Sequence, residues 1–136
     1  MRFLLDTNVI SEVGKPRPNS RVLNWLLEHE AASGVPSVAL AERYQGAYAV
    51  ASATRRRELL AELDALVVEA PERIAPFDAA AARVWGEYVE EPELRRRPRS
   101  YPDTQIAAIA LAHGLTVVTR NTEDFPGMST LNPWST

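Results

Sequence analysis

The stretch Phe3-Leu4-Leu5-Asp6-Thr7-Asn8-Val9-Ile10-Ser11-Glu12 (FLLDTNVISE) sets the terms for the whole chain. Phe3 to Leu5 is a short, continuously apolar run, the pattern of a strand buried on both faces. It stops on a carboxylate. In an open parallel sheet, ligands bind beyond the carboxyl ends of the strands, which would put Asp6 at the mouth of a cleft. Asp6 equally suits the N-cap of a helix beginning TNVISE.

The elements that follow alternate in type. After the breaker GKPRPNS, Ser20 is positioned to cap a helix whose apolar face is Val22, Leu23, Leu26 and Leu27. SGVPSV reads as a brief strand. A long helix is expected from about Val38 to Ala53 and an amphipathic one over Thr54–Val67. IAPF is a short strand, and Asp78 caps a helix bearing Ala81, Trp85, Tyr88 and Val89. The polar loop EEPELRRRPRSY leads to a helix with Pro102 in its first turn, running to His113 and stopped by Gly114. LTVVT is a β-branched strand and STLNPW adds a last short one. Short strands alternating with helices indicate a parallel sheet covered on both faces. With 136 residues and no internal repeat or linker, residues 1–136 are expected to form a single domain.

Composition narrows the chemistry. The absence of cysteine excludes disulfides, thiolate metal sites and cysteine nucleophiles, and fits a reducing cytoplasm. No apolar run reaches the length of a membrane span, and MRFLLDTN lacks a signal-peptide cleavage site, so no membrane association is expected. The net charge of −3 gives no general attraction to nucleic acid, although a local basic patch overrides a net value.

Two further acids stand out. Asp103 shares a helical face with Ile106, Ala107 and Ala110, and a carboxylate near a core face costs free energy unless paired. The competing reading is a first-turn acid favoured by the helix dipole. Glu42 lies among small and apolar neighbours, with Gly46 one turn on, and competes with the reading of an ordinary solvated glutamate, the role assigned to Arg43. Three carboxylates on mainly apolar elements suggest a hard divalent cation, Mg²⁺ or Mn²⁺. His29 and His113 close predicted helices and are expected to be structural. No glycine-rich phosphate loop or G-x-S-x-G elbow is present. Asn8 stands where a haloacid-dehalogenase-type phosphatase needs its second aspartate.

LLDTNVISE, KPRPN, Ala41-Glu42, RIAPFDAAAARVWG, PDTQIAA, HGLTVVTRNTEDF and LNPW, in that order, resemble the PIN-domain ribonucleases, and among them the VapC- and FitB-type toxins of toxin–antitoxin pairs. The resemblance spans essentially the whole chain. It implies a three-layer α/β/α domain with a central parallel sheet, an acidic pocket for Mg²⁺ or Mn²⁺, and hydrolysis of RNA. The family's acids fall on Asp6, Glu42 and Asp103, with Asp6 and Asp103 as direct metal ligands and Thr7 and Asn8 bracing the turn. A fourth acid in some members reads Asn121 here, with Asp124 three residues on. Arg95, Arg96, Arg97 and Arg99 either hold RNA phosphates, with Tyr101 for base stacking, or form a solvated loop. The resemblance also implies a homodimer and a small DNA-binding antitoxin, for which Trp25, Tyr44 and Tyr48 mark possible docking faces. The alternative is a catalytically weak RNA-binding or regulatory partner that uses the pocket as an antitoxin dock.

Overall fold

A computed structural model describes residues 1–136. β1 (Phe3–Leu5) is the central strand of a five-stranded sheet with β2 (Ser33–Pro36), β3 (Ile74–Ala75), β4 (Thr116–Val118) and β5 (Thr130–Leu131). The order is β3-β2-β1-β4-β5 and every pairing is parallel. Leu4 lies opposite Val117 and Leu5 opposite Val118, so successive residues of β1 and β4 face opposite layers.

One layer gathers Leu4, Val117, Val35 and Ala75 with α3 (Ser37–Tyr48), α5 (Ala79–Tyr88) and α7 (Tyr101–His113). The other packs Phe3, Leu5 and Val118 against Val9 of α1 (Thr7–Val13) and Val22 and Trp25 of α2 (Ser20–His29). The expected three-layer α/β/α arrangement around a parallel sheet is therefore found. α4 (Ala53–Glu69) lies against α3 without fully burying a residue. Tyr44 is tied to it by a 2.6 Å hydrogen bond from its hydroxyl to Asp64. α6 (Pro92–Arg96) is a single short helix in the polar loop. No helix is long and apolar enough to cross a membrane.

Several boundaries differ from expectation. The helix expected over 38–53 ends at Tyr48, because the Ser52 hydroxyl caps α4 at Arg55 N–H and the Arg56 guanidinium takes the Val50 carbonyl at 2.8 Å. Alanines around that break carry high helix propensity and hide it. Asn19, not Ser20, caps α2, accepting from the N–H groups of Arg21 and Val22. Trp25 is core rather than a docking face: it is 7% exposed, stacks on His29 with centroids 4.4 Å apart, and meets the Phe3 ring edge-on. Asp78 and Gly114 cap as expected, Gly114 with φ +64°.

Leu4→Ala should cost about 2–5 kcal/mol in urea unfolding because it empties a site under both α3 and α7. Leu27→Ala, at a residue 75% exposed, should change stability by less than about 0.5 kcal/mol.

Candidate active site

The strand order reverses at β1. The chain moves outward from β1 through β2 to β3, then returns to place β4 on the other side of β1. Such a switch point leaves a crevice at the carboxyl ends of the two strands. Asp6 follows β1 directly and Thr119 follows β4, so both face this crevice.

Both readings of Asp6 hold at once. It is the N-cap of α1, accepting from Thr7 N–H through Oδ1 at 2.8 Å. Its Oδ2 accepts from the Thr119 hydroxyl at 2.8 Å and from Asn8 Nδ2 at 3.4 Å. Thr119, completely buried, is a hub: its Oγ1 also accepts from Asn8 Nδ2 and from Asn121 N–H. Asn8 Oδ1 in turn accepts from Arg120 N–H at 3.3 Å. The residues after β1 are thus stitched to those after β4.

Glu42 reaches the crevice from α3, where its Oε1 accepts from the Thr7 hydroxyl at 2.8 Å. Gly46, one turn along α3, borders a neighbouring depression with Glu42 and Arg43. Asp103 arrives on the first turn of α7, whose N-cap Ser100 accepts from Asp103 N–H. The single apolar face expected for this helix is not what places Asp103. Thr104 and Ile106 through Ala110 are all buried, so most of α7 is enclosed, and Asp103 in its first turn opens into the crevice. Asp124 comes from a 3₁₀ turn, Thr122–Asp124, just after Asn121.

These groups line a cavity of about 410 Å³ with no hydrophobic residue in its wall. Asp6, Glu42, Asp103 and Asp124 supply four carboxylates; Thr7, Asn8, Ser11 and Asn121 supply neutral oxygens; Lys15 brings one ammonium. All of Asp6, Thr7, Asn8, Glu42, Asp103, Asn121 and Asp124 expected from the sequence therefore meet in one cavity. Ser11, Lys15 and the Thr119 hub were not anticipated. In the sequence Thr119 shows only as a hydroxyl residue directly after a strand; the pairing of β4 with β1 gives it its role.

The electrostatics are strained in one direction. Burial pushes the Asp6 carboxyl above its ordinary value, against the hydrogen bonds from Thr119 and Thr7, and the charges of Glu42 and Asp124 add to the rise. Burial likewise carries Asp103 from 3.8 up to about 6, with the Asp6 charge the next cause and Asp124 and Glu42 contributing. Lys15 offsets little of this, because its ammonium is held at 2.9 Å by Glu12. A wall whose metal-ligating atoms are all oxygens, four of its groups being mutually repelling carboxylates, suits a hard cation. No three acids are drawn close enough to form a ready-made cage, and Mg²⁺ needs none, since it keeps several waters and uses one or two carboxylates.

The arginines divide. Arg95 pairs with Glu90 at 3.0 Å, Arg96 with Glu93 at 2.5 Å, and Arg97 makes no ion pair. Arg99 is a structural strut. Its side chain is 7% exposed and its guanidinium binds the carbonyls of Arg97 and Glu123 and the Glu93 carboxylate. His29 and His113 are structural, on the Trp25 carbonyl and Asp78 respectively.

This chain belongs to the PIN-domain family, whose model matches residues 3–129. It is 33% identical to the VapC ribonuclease Y4jK of Sinorhizobium fredii, with 97% of each chain covered. It is also 33% identical to the toxin FitB of Neisseria gonorrhoeae, covering 97% of this chain and 98% of that one. Among solved structures, FitAcB from N. gonorrhoeae superposes with a TM-score of 0.89 at 31% identity, covering 98% of this chain and 99% of the other. VapBC2 from Rickettsia felis, bound to a DNA fragment from its promoter, gives 0.76 at 25% identity over 97% and 98% of the two chains. The kinship with VapC- and FitB-type proteins expected from the sequence is thus found.

The raised Asp103 pKa has a signed consequence. Between about pH 4 and pH 6 the folded, metal-free chain retains a proton that the unfolded chain has released, so this group lowers stability as pH rises through that window. Asp6 acts in the same direction. Asp103→Asn should remove its share of the slope and raise Tm in EDTA at pH 7.5 by about 2–5 °C, measured by thermal unfolding of both proteins from pH 4 to 8.

Proposed function

We propose that this chain is a metal-dependent endoribonuclease that acts as the toxin of a toxin–antitoxin pair. One observation supports the reading above others: four carboxylates, two with raised pKa values, converge at the switch point of the sheet. They do so in a chain similar along nearly its whole length to a VapC ribonuclease and the FitB toxin.

Asp6 and Asp103 are the residues that would hold Mg²⁺, or Mn²⁺, with Glu42 beside or behind them and Asp124 as the fourth acid in place of Asn121. When bound, such an ion supplies a water ionised near neutral pH and a charge that offsets the phosphoryl oxygens. The chain's own residues orient and restrain. Thr119, Asn8 and the Thr7 N–H fix both oxygens of Asp6, and the Thr7 hydroxyl holds Glu42 toward the same point. Lys15 is the only cation in the cavity wall, and its pairing with Glu12 leaves the four acids largely unneutralised. Asn121 contributes an amide without charge, which would favour a purely regulatory pocket, but Asp124 on the same wall restores the acid.

The expected partners are RNA as substrate, a second copy of this chain, and a small DNA-binding antitoxin in the cytoplasm. Several structural neighbours are toxin–antitoxin complexes, three of them bound to DNA. An antitoxin arginine is the natural plug for the acidic cavity, because a guanidinium pairs with carboxylates as a bidentate fork.

Purified wild type should cut single-stranded RNA in Mg²⁺, stop in EDTA, and leave 5′-phosphate and 3′-hydroxyl ends on sequencing. Asp6→Asn should reduce cleavage to the level of a no-enzyme control while remaining folded. A 2′,3′-cyclic phosphate product, or cleavage that persists in EDTA, overturns the metal mechanism. Toxicity on expression should be relieved by co-expressing the adjacent small reading frame, with the complex recovered intact; a growth defect that no small partner relieves removes the toxin–antitoxin assignment alone.

A further inference from the structure

A second pocket, of about 310 Å³, adjoins the N-terminus of α7. Tyr101 and Thr104 line it, whereas Asp103, on the same helical turn, lines the acidic cavity. Its apolar walls are Trp85, Val89, Leu94 and Pro98. The Trp85 indole N–H donates to Thr104 Oγ1 at 2.9 Å, which holds the ring in place. Tyr101 lies over it, centroids 5.7 Å apart and planes at 38°, yet remains 70% exposed. A large aromatic left this exposed against a rigid aromatic floor gains little from its present contacts.

We infer that this pocket is a subsite for one unpaired nucleobase of the RNA, next to the phosphate that is cut, with Tyr101 as the stacking residue. This rests on the ribonuclease reading and deepens it. Three features favour a base over a peptide. A base offers a flat π-face to an aromatic platform and needs no particular sequence. Tyr101 and Asp103 are two residues apart on α7, a rise of about 3 Å, and line different pockets on either side of the helix N-terminus, so an RNA strand crossing that terminus meets both. The adjacent loop is basic: Arg95 at the pocket wall is held only by a solvent-exposed pair with Glu90, and Arg97, exposed, has no carboxylate partner. Exposed pairs of this kind exchange readily for a phosphate. Tyr101 touches the base and is a binding residue, not a group in the cleavage step.

The test uses the full chain with a single-stranded RNA dodecamer, reading binding by anisotropy in Ca²⁺ and cleavage in Mg²⁺. Tyr101→Ala should weaken binding and raise KM by about tenfold with kcat within about twofold. Tyr101→Phe should restore both, since stacking needs no hydroxyl. Binding should also quench tryptophan emission, and Trp85→Phe should remove that quenching. If wild type cleaves RNA and Tyr101→Ala leaves binding and KM unchanged, the subsite is wrong and the nuclease reading stands. If binding depends on Tyr101 but no cleavage occurs, the subsite stands and the nuclease reading falls. If wild type neither binds nor cleaves RNA, both fall. If Tyr101→Ala turns a dimer into a monomer by sedimentation while RNA binding is unchanged, the pocket is an interface between copies and the proposal is overturned.

Discussion

The hydrogen bond from the Thr119 hydroxyl to Asp6 Oδ2, 2.8 Å long and completely buried at its donor, joins the ends of the two strands between which the site opens. Parallel neighbours have no turn between them, so only side chains can fix the geometry beyond their last ladder bond. Here the ladder ends with Asp6 N–H on the Val118 carbonyl at 3.0 Å. One residue further, the side chains of Asp6, Asn8 and Thr119 take over, and Asn121 N–H joins them. The same bond favours the ionised form of a carboxylate whose pKa burial raises. Loss of one hydroxyl would therefore loosen the crevice and the charge within it together.

The fold supplies the rest by enclosure. Most of α7 is buried between its layer neighbours, and Asp103 in its first turn opens into the crevice. α3 brings Glu42 from the same layer, and α1 brings Thr7 from the opposite one. The acids thus arrive from separate elements on a rigid core, and they repel one another because nothing on the protein neutralises them. Sites tuned in this way sacrifice stability for function.

Much of this was readable from the residues. An apolar run ending in Asp-Thr-Asn located β1, its end and the helix cap in one stretch. Pro102 and Gly114 bounded α7, and alternation of short strands with helices indicated the parallel sheet. What could not be read depended on neighbours distant in sequence. Thr119 looks like any strand-end threonine until β4 is known to lie beside β1. Arg43 reads in the sequence as a solvated helix residue, but it is half-buried, with its guanidinium on the Ser11 hydroxyl and its Nε unpaired. Arg99 sits in a run that reads as a charged loop, and only the fold shows its guanidinium turned onto backbone carbonyls. Asp124 was recognisable only as a neighbour of Asn121; the 3₁₀ turn is what carries it into the cavity.

The central claim is that the repulsion among Asp6, Glu42, Asp103 and Asp124 exists to be relieved by a divalent cation. Following the Asp103 side-chain carboxyl by NMR through a pH titration, with and without Mg²⁺, tests it directly. The account predicts titration near pH 6 in EDTA and a midpoint lower by about one pH unit or more in saturating Mg²⁺, because a bound cation favours the ionised form. A midpoint unchanged by Mg²⁺ and by Mn²⁺ would contradict it.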